Sequence, residues 1–249
     1  MYHSITIGRG LFKQDKTFDE RIFKNTYDDW KIVPKSRPEI SPPKPKTNYV
    51  DIPGSNGSID LSEAVSPGPI YDNRDGSWDF YVLNDYPTYE GWIDIYNKIV
   101  NFIHGYQVTV RLEDDPNYEY TGRLAMKDWK SAKDWSSVSI DYTLNPFKVN
   151  ANRVIEFDVT DGQDIFLGPE DIGVKNEPVS ILITTENVGP VTINSFTGAQ
   201  DSFTGEFNSN QQYSNTGVIF GGGFAKLNFS GSVLESGGHV TITYKDARL

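Results

Sequence analysis

Thr47-Asn48-Tyr49-Val50-Asp51-Ile52-Pro53-Gly54-Ser55-Asn56-Gly57-Ser58-Ile59-Asp60-Leu61 is the most informative stretch of this 249-residue chain. Asn56-Gly57 supplies the positive φ values of a tight hairpin turn. The flanking apolar residues Tyr49, Ile52, Ile59 and Leu61 fall in two short strand-like runs. Ahead of this hairpin lie a Tyr27-Asp28-Asp29-Trp30 cluster and a proline-rich arm. Pro34, Pro38, Pro42, Pro43 and Pro45 favour extended backbone and withhold amide donors. From Tyr27 to Val65 the residues fix shape and supply no reagents. That points to a part of an assembly.

Outward from this stretch the chain reads as mainly β. One segment carries a helical stripe: between Thr88 and His104, the residues Trp92, Ile95, Tyr96, Ile99, Phe102 and Ile103 recur at helical spacing. Thr88 is the candidate N-cap, Glu90 suits the positive end of the dipole, and Gly105 suits the exit. Gln107–Glu113 and Tyr118–Met126 read as strands joined by the turn Asp114-Asp115-Pro116-Asn117. Val138 to Leu144 alternates apolar and polar residues as a half-buried strand does. Beyond Asn145-Pro146 come short strands (154–159, 179–185, 191–196, 218–220, 225–229 and 240–244) separated by Gly, Asn and Ser clusters. That spacing predicts a β-sandwich.

Composition divides the chain in the same region. All five tryptophans and 11 of the 14 prolines precede residue 148, whereas 13 of the 22 glycines follow it. Two domains are expected, 1–148 and 149–249. Residues 1–148 hold 18 Lys/Arg against 22 Asp/Glu, net −4; residues 149–249 hold 5 against 12, net −7. An acidic chain is repelled by nucleic acid, so no nucleic-acid binding is expected. Lys35, Arg37, Lys44 and Lys46 form a small basic island on the arm, read as a solvated linker. There is no cysteine, hence no disulfide or thiolate chemistry. No run approaches the apolar length that spans a bilayer, so no membrane insertion is expected. Met1-Tyr2-His3-Ser4-Ile5-Thr6-Ile7 lacks the basic and apolar regions of a secretory signal.

Chemistry is sparse. His3, His104 and His239 lie in no metal-ligand or triad spacing. Asp158, Asp161 and Asp164 around Gly162 lack the ordered pattern of a calcium loop and read as a solvated acidic turn; Asp72 to Gly76 likewise reads as turn chemistry. No catalytic residue, metal or cofactor is assigned. A glycan-binding alternative rests on Phe203, Phe207, Tyr213 and Tyr244 of the second domain, since sugars stack on aromatic rings. An enzyme acting on cell-wall glycans would need two convergent carboxylates. Pro42-x-x-Pro45 has the spacing of a polyproline ligand, but the arm reads either as a segment laid across a neighbouring subunit or as an intradomain connector.

Several motifs in order carry a resemblance. They are Asp28-Asp29-Trp30; the prolines before Lys46-Thr47-Asn48; Val50-Asp51-Ile52-Pro53-Gly54 with Gly57-Ser58-Ile59-Asp60-Leu61; Tyr71, Asn73 and Arg74; His104-Gly105; Leu112-Glu113-Asp114-Asp115-Pro116 with Tyr118, Tyr120 and Gly122-Arg123; and Asn145-Pro146-Phe147-Lys148. Together they resemble the N-terminal domain of siphophage distal tail proteins over roughly residues 1–148. The resemblance implies a non-enzymatic structural hub at the tail tip of a phage or prophage virion, assembled in the host bacterial cytoplasm. The N-terminal domain would form a homo-hexameric ring between the tail tube protein and the tail-associated protein. A galectin-like or carbohydrate-module-like C-terminal sandwich would project outward and dock baseplate or receptor-binding proteins. On this reading Asp28, Asp29, Trp30, Thr47, Asn48, Tyr49, Val50, Asp51, Pro53 and Gly54 lie at or beside subunit contacts, with Trp30 the best single anchor. The counter-reading, that these residues stabilise the N-terminal fold, stays open.

Overall fold

Period-two alternation builds the N-terminal sheet. In the computed structural model, which describes residues 3–10, 21–64, 68–83, 89–131 and 136–249, the strands are β1 (Ile5–Gly10), β2 (Arg21–Asn25), β3 (Ile32–Pro34), β4 (Tyr49–Asp51), β5 (Ser58–Asp60) and β6 (Arg74–Val82). Helix α1 (Tyr89–Ile103) follows, then β7 (Gln107–Leu112), β8 (Tyr120–Ser131) and β9 (Ser136–Leu144). Seven of them form one antiparallel sheet in the order β2-β1-β7-β8-β9-β6-β3. Strand β9 shows the rule: Val138, Ile140, Tyr142 and Leu144 are buried, and the polar residues between them are more exposed. Helix α1 packs on one face of this sheet. Its residues Trp92, Ile95, Ile99 and Ile103 enter the same core as Ile5, Ile7, Phe80 and Val110. Burying such side chains contributes about 1.5–3 kcal/mol each, and this tertiary packing fixes the helix. Gly105, at φ 76, makes the exit turn that the sequence predicts. The candidate N-cap Thr88 lies outside the described residues, as do Val65 and Trp135.

The second unit is an antiparallel sandwich. Its strands are β10 (Lys148–Val159), β11 (Gln163–Leu167), β12 (Glu177–Thr184), β13 (Pro190–Thr197), β14 (Gln200–Asn208), β15 (Gln212–Tyr213), β16 (Ile219–Phe220), β17 (Ala225–Ser230) and β18 (Gly238–Arg248). One sheet runs β10-β18-β12-β15 with β16 also pairing β12, and the other runs β11-β17-β13-β14. Inward residues of both, among them Val179, Ile181, Ile193, Leu227, Phe229 and Ile242, make the core. By contact density the chain divides into Met1–Lys148 and Val149–Arg248.

In the second unit three strands escape the sequence pattern. The Ser-, Asn- and Gly-rich stretch from Gln200 to Gly217, which carries no strand signal, contains β14 and β15. Strand β14 bonds to β13 on one side only, and an edge strand needs few apolar residues to hold its place. Strand β11 is an edge strand of the same kind.

Candidate interaction surface

The proline arm divides into a tethered half and a free half. After β3, the chain is fastened to its own unit by bonds to its carbonyls, by the Lys35 and Lys46 amides, and by ion pairs. Trp78 Nε1 donates to Glu39 O at 3.0 Å, and Arg74 Nη1 donates to Ser41 O at 2.8 Å. Arg37 pairs with Asp114 at 2.9 Å, and Pro45 bridges to Tyr71. Residues 35–46 are therefore an intradomain connector. Proline cannot donate to a ladder, so between the Lys35 and Lys46 amides, which donate to Asp79 O and Ile70 O, this extended segment is held through its acceptors.

Arg74 organises the root. It is 3% exposed, and its Nε donates to Pro146 O at 2.8 Å while Nη1 holds Ser41. Its guanidinium lies 5.5 Å from the Tyr120 ring centroid. Burial pulls its pKa below the usual guanidinium value. Around it, Tyr71 meets Phe147 edge to face at 6.0 Å, and Lys148 pairs with Asp115 at 2.7 Å over the Tyr118 ring. Motifs scattered from residue 71 to residue 148 thus converge where the arm is anchored. Sequence reading placed Asp72–Gly76 in a turn. The structure corrects this: Arg74 opens β6, and its one-sided neighbourhood of carbonyls is invisible to local pattern.

Beyond Lys46 the chain leaves the body of the unit. Among the described residues, strands β4 and β5 pair only with each other, Tyr49 opposite Asp60 and Asp51 opposite Ser58. The turn is longer than the two-residue type predicted: residues 52–57 connect the strands, Gly54 and Gly57 take φ of 83° and 78°, and Asn56 does not take a positive φ. Tyr49 is 60% exposed, and Val50, Ile52, Ile59 and Leu61 are also exposed. Thr47, Asn48, Asp51, Pro53 and Gly54 share that exposure. An isolated two-stranded hairpin is marginal in water, and a contiguous exposed apolar patch marks an interaction site.

Asp28, Asp29 and Trp30 do different work. Asn25 Oδ1 accepts from the Tyr27 and Asp28 amides at 2.9 and 3.1 Å, and Asp29 accepts from the Asn25 amide at 2.8 Å and from Lys24 at 2.7 Å. This turn delivers Trp30 into the core, 5% exposed and edge to face with Phe102 at 5.7 Å. Burial of the ring in its own unit's core fits the counter-reading, in which Trp30 stabilises the N-terminal fold. Asp28 and Asp29 remain exposed.

Burial alone would raise the Asp29 carboxyl, but the hydrogen bonds from Lys24 and the Asn25 amide hold it below its ordinary value. The hydrogen bond from Arg37 does the same for Asp114 against a small opposing burial effect. A carboxyl with a lowered folded-state pKa binds protons more readily when unfolded, so its stabilisation is complete above about pH 4 and is lost as pH falls through the folded value. Acid titration of unfolding midpoints should show this loss below about pH 4. Asp29→Asn should be less stable at neutral pH and show a shallower acid slope.

In the second unit Phe207 is 9% and Tyr244 is 4% exposed, and burial pushes the Tyr244 hydroxyl up to about 12. Both rings are buried in the sandwich core and present little face to a sugar. Phe203 and Tyr213 are half-buried and pack against the core. The exposed rings lie elsewhere. Phe166 at 73% and Phe196 both lie across from Lys226 on one sheet face, and Phe196 meets the exposed Phe224 at 5.7 Å. The acidic turn does not gather oxygens: Asp158 faces His239, Asp161 accepts from the Gly231 amide, and Asp164 pairs with Lys226. Among the described residues no group of three or more His, Cys, Asp or Glu side chains could hold a metal, and no helix is long and apolar enough to cross a membrane.

No family model matches the sequence, and no curated protein sequence matches it. Among solved structures, the crystal structure of the SPP1 Dit protein, described as a paradigm of the hub adsorption apparatus in phages infecting Gram-positive bacteria, shares the fold. The TM-score is 0.55 at 13% identity, over 88% of this chain and 92% of that chain. The resemblance carried by the motifs is met by a match in fold.

Proposed function

We propose that this chain is a structural hub of a phage or prophage tail tip. Six copies close a ring between the tail tube and the baseplate, tail-associated and receptor-binding proteins, and the chain works by recognition without catalysis. The observation that carries the reading is the fold shared, over 88% of this chain, with a protein described as a hub of the phage adsorption apparatus. The exposed hairpin β4–β5 supports it, because heterologous contacts close a ring when the rotation between neighbours returns to its start. Its apolar residues are solvent-exposed in the single chain, so changing them tests assembly apart from folding. Tyr49→Ser with Ile59→Ser should leave the unfolding midpoint within about 0.5 kcal/mol of the parent. The same protein should lose the oligomeric mass that light scattering gives for the parent. A variant that still assembles would remove the hairpin from the ring contact.

A second reading, adhesion to host cell-wall polysaccharide, is favoured by one observation: three exposed phenylalanines on or beside one sheet face of the sandwich. Titration of the full chain with wall polysaccharide should give heat that Phe166→Ala and Phe196→Ala abolish. Flat signals from the parent chain would sink this reading.

A further inference from the structure

The seven-stranded sheet has two unlike edges. Strand β3 has three residues and ends in Pro34, which blunts it. Strand β2 has five residues, pairs with β1 on one side, and meets no described strand on the other. Its Ile22 and Phe23 are 45% and 42% exposed. An apolar edge strand with no described strand beside it is a template for another chain.

Among the described residues, the side chains around β2 are more basic than acidic. Phe23 covers Gly8, where an added Cβ would meet its ring at 2.7 Å, and Arg21 and Arg111 flank that ring at 5.6 and 5.8 Å. Arg9 lies opposite Ile22 on the other face. Glu119 engages both Arg21 and Arg111, and Asp29 engages Lys24, so the four cations Arg9, Arg21, Lys24 and Arg111 outnumber these carboxylates. The hairpin is the reverse. Residues 47–63 contain Asp51, Asp60 and Glu63 and no Lys or Arg, beside exposed Tyr49, Val50 and Ile59.

We propose that the hairpin β4–β5 of one copy seats against the open β2 edge of a second copy, apolar residues meeting Ile22 and Phe23 and carboxylates meeting the arginine-rich flank. This rests on the ring reading and names the acceptor within it. The two surfaces differ, as a head-to-tail contact requires. Charge complementarity selects the pairing over like-charged alternatives.

The absence of cysteine from the chain makes the test clean. One protein carries Ile59→Cys, a second carries Ile22→Cys, and a third carries Val188→Cys at a 72% exposed site in the sandwich. Disulfides form only between closely apposed Cβ atoms. Oxidising the first with the second should give several-fold more covalent dimer on a non-reducing gel than the first with the third, and the excess should shrink as salt is raised. Equal yields overturn the β2 assignment. If light scattering of the parent still shows a ring, only the acceptor is wrong; a parent that stays monomeric with equal yields removes the ring reading too.

Discussion

Replacing Trp30 by alanine is expected to cost the N-terminal unit about 3–5 kcal/mol, the usual loss for a large aromatic removed from a packed core. The ring is 5% exposed and meets Phe102 edge to face, within the cluster that holds Ile99 and Ile103 of α1. Its loss leaves a void between the helix and the turn after β2. All five tryptophans lie before residue 148, so tryptophan fluorescence during urea unfolding reads this unit alone. The midpoint should fall sharply, while Trp30→Phe should recover much of the loss. A Trp30→Ala protein with an unchanged midpoint would mean that the ring is not a core residue.

Arg74→Ala is expected to cost on the order of 3 kcal/mol, because it removes two charge-assisted hydrogen bonds and leaves the Ser41 and Pro146 carbonyls without their donor. The effect reaches the arm as well. Ser41 sits midway along the tethered segment, so its release should raise hydrogen exchange or proteolysis between residues 35 and 46. Arg74→Lys retains the charge but not the planar set of donors that spans both carbonyls, and should recover only part of the stability. Were the arm equally protected in Arg74→Ala, the anchoring role would be wrong.

Much of the fold was legible because burial imposes period. The stripe from Trp92 to Ile103 and the alternation from Val138 to Leu144 each had a face to hide, and both form the predicted elements. The spacing of short strands after residue 148 likewise announced a sandwich. Edge strands β11 and β14 were silent, since a strand bonded on one side carries too little apolar signal.

The candidate site was legible in part. Exposure of Tyr49 and Ile59 and confinement of Trp30 differ only through tertiary packing, because all three are large apolar residues near turn chemistry. Arg74 was missed for a related reason: its partners are backbone carbonyls 33 and 72 residues away. Carbonyls leave no mark in side-chain sequence.

On the ring reading, this fold closes on copies of itself. Electron microscopy of the purified 249-residue chain at high concentration is the decisive experiment. Closed rings with six-fold symmetry and a mass six times that of the 28.0 kDa chain are expected. Single particles of one chain at every concentration, or assemblies of a different closed symmetry, would contradict that reading.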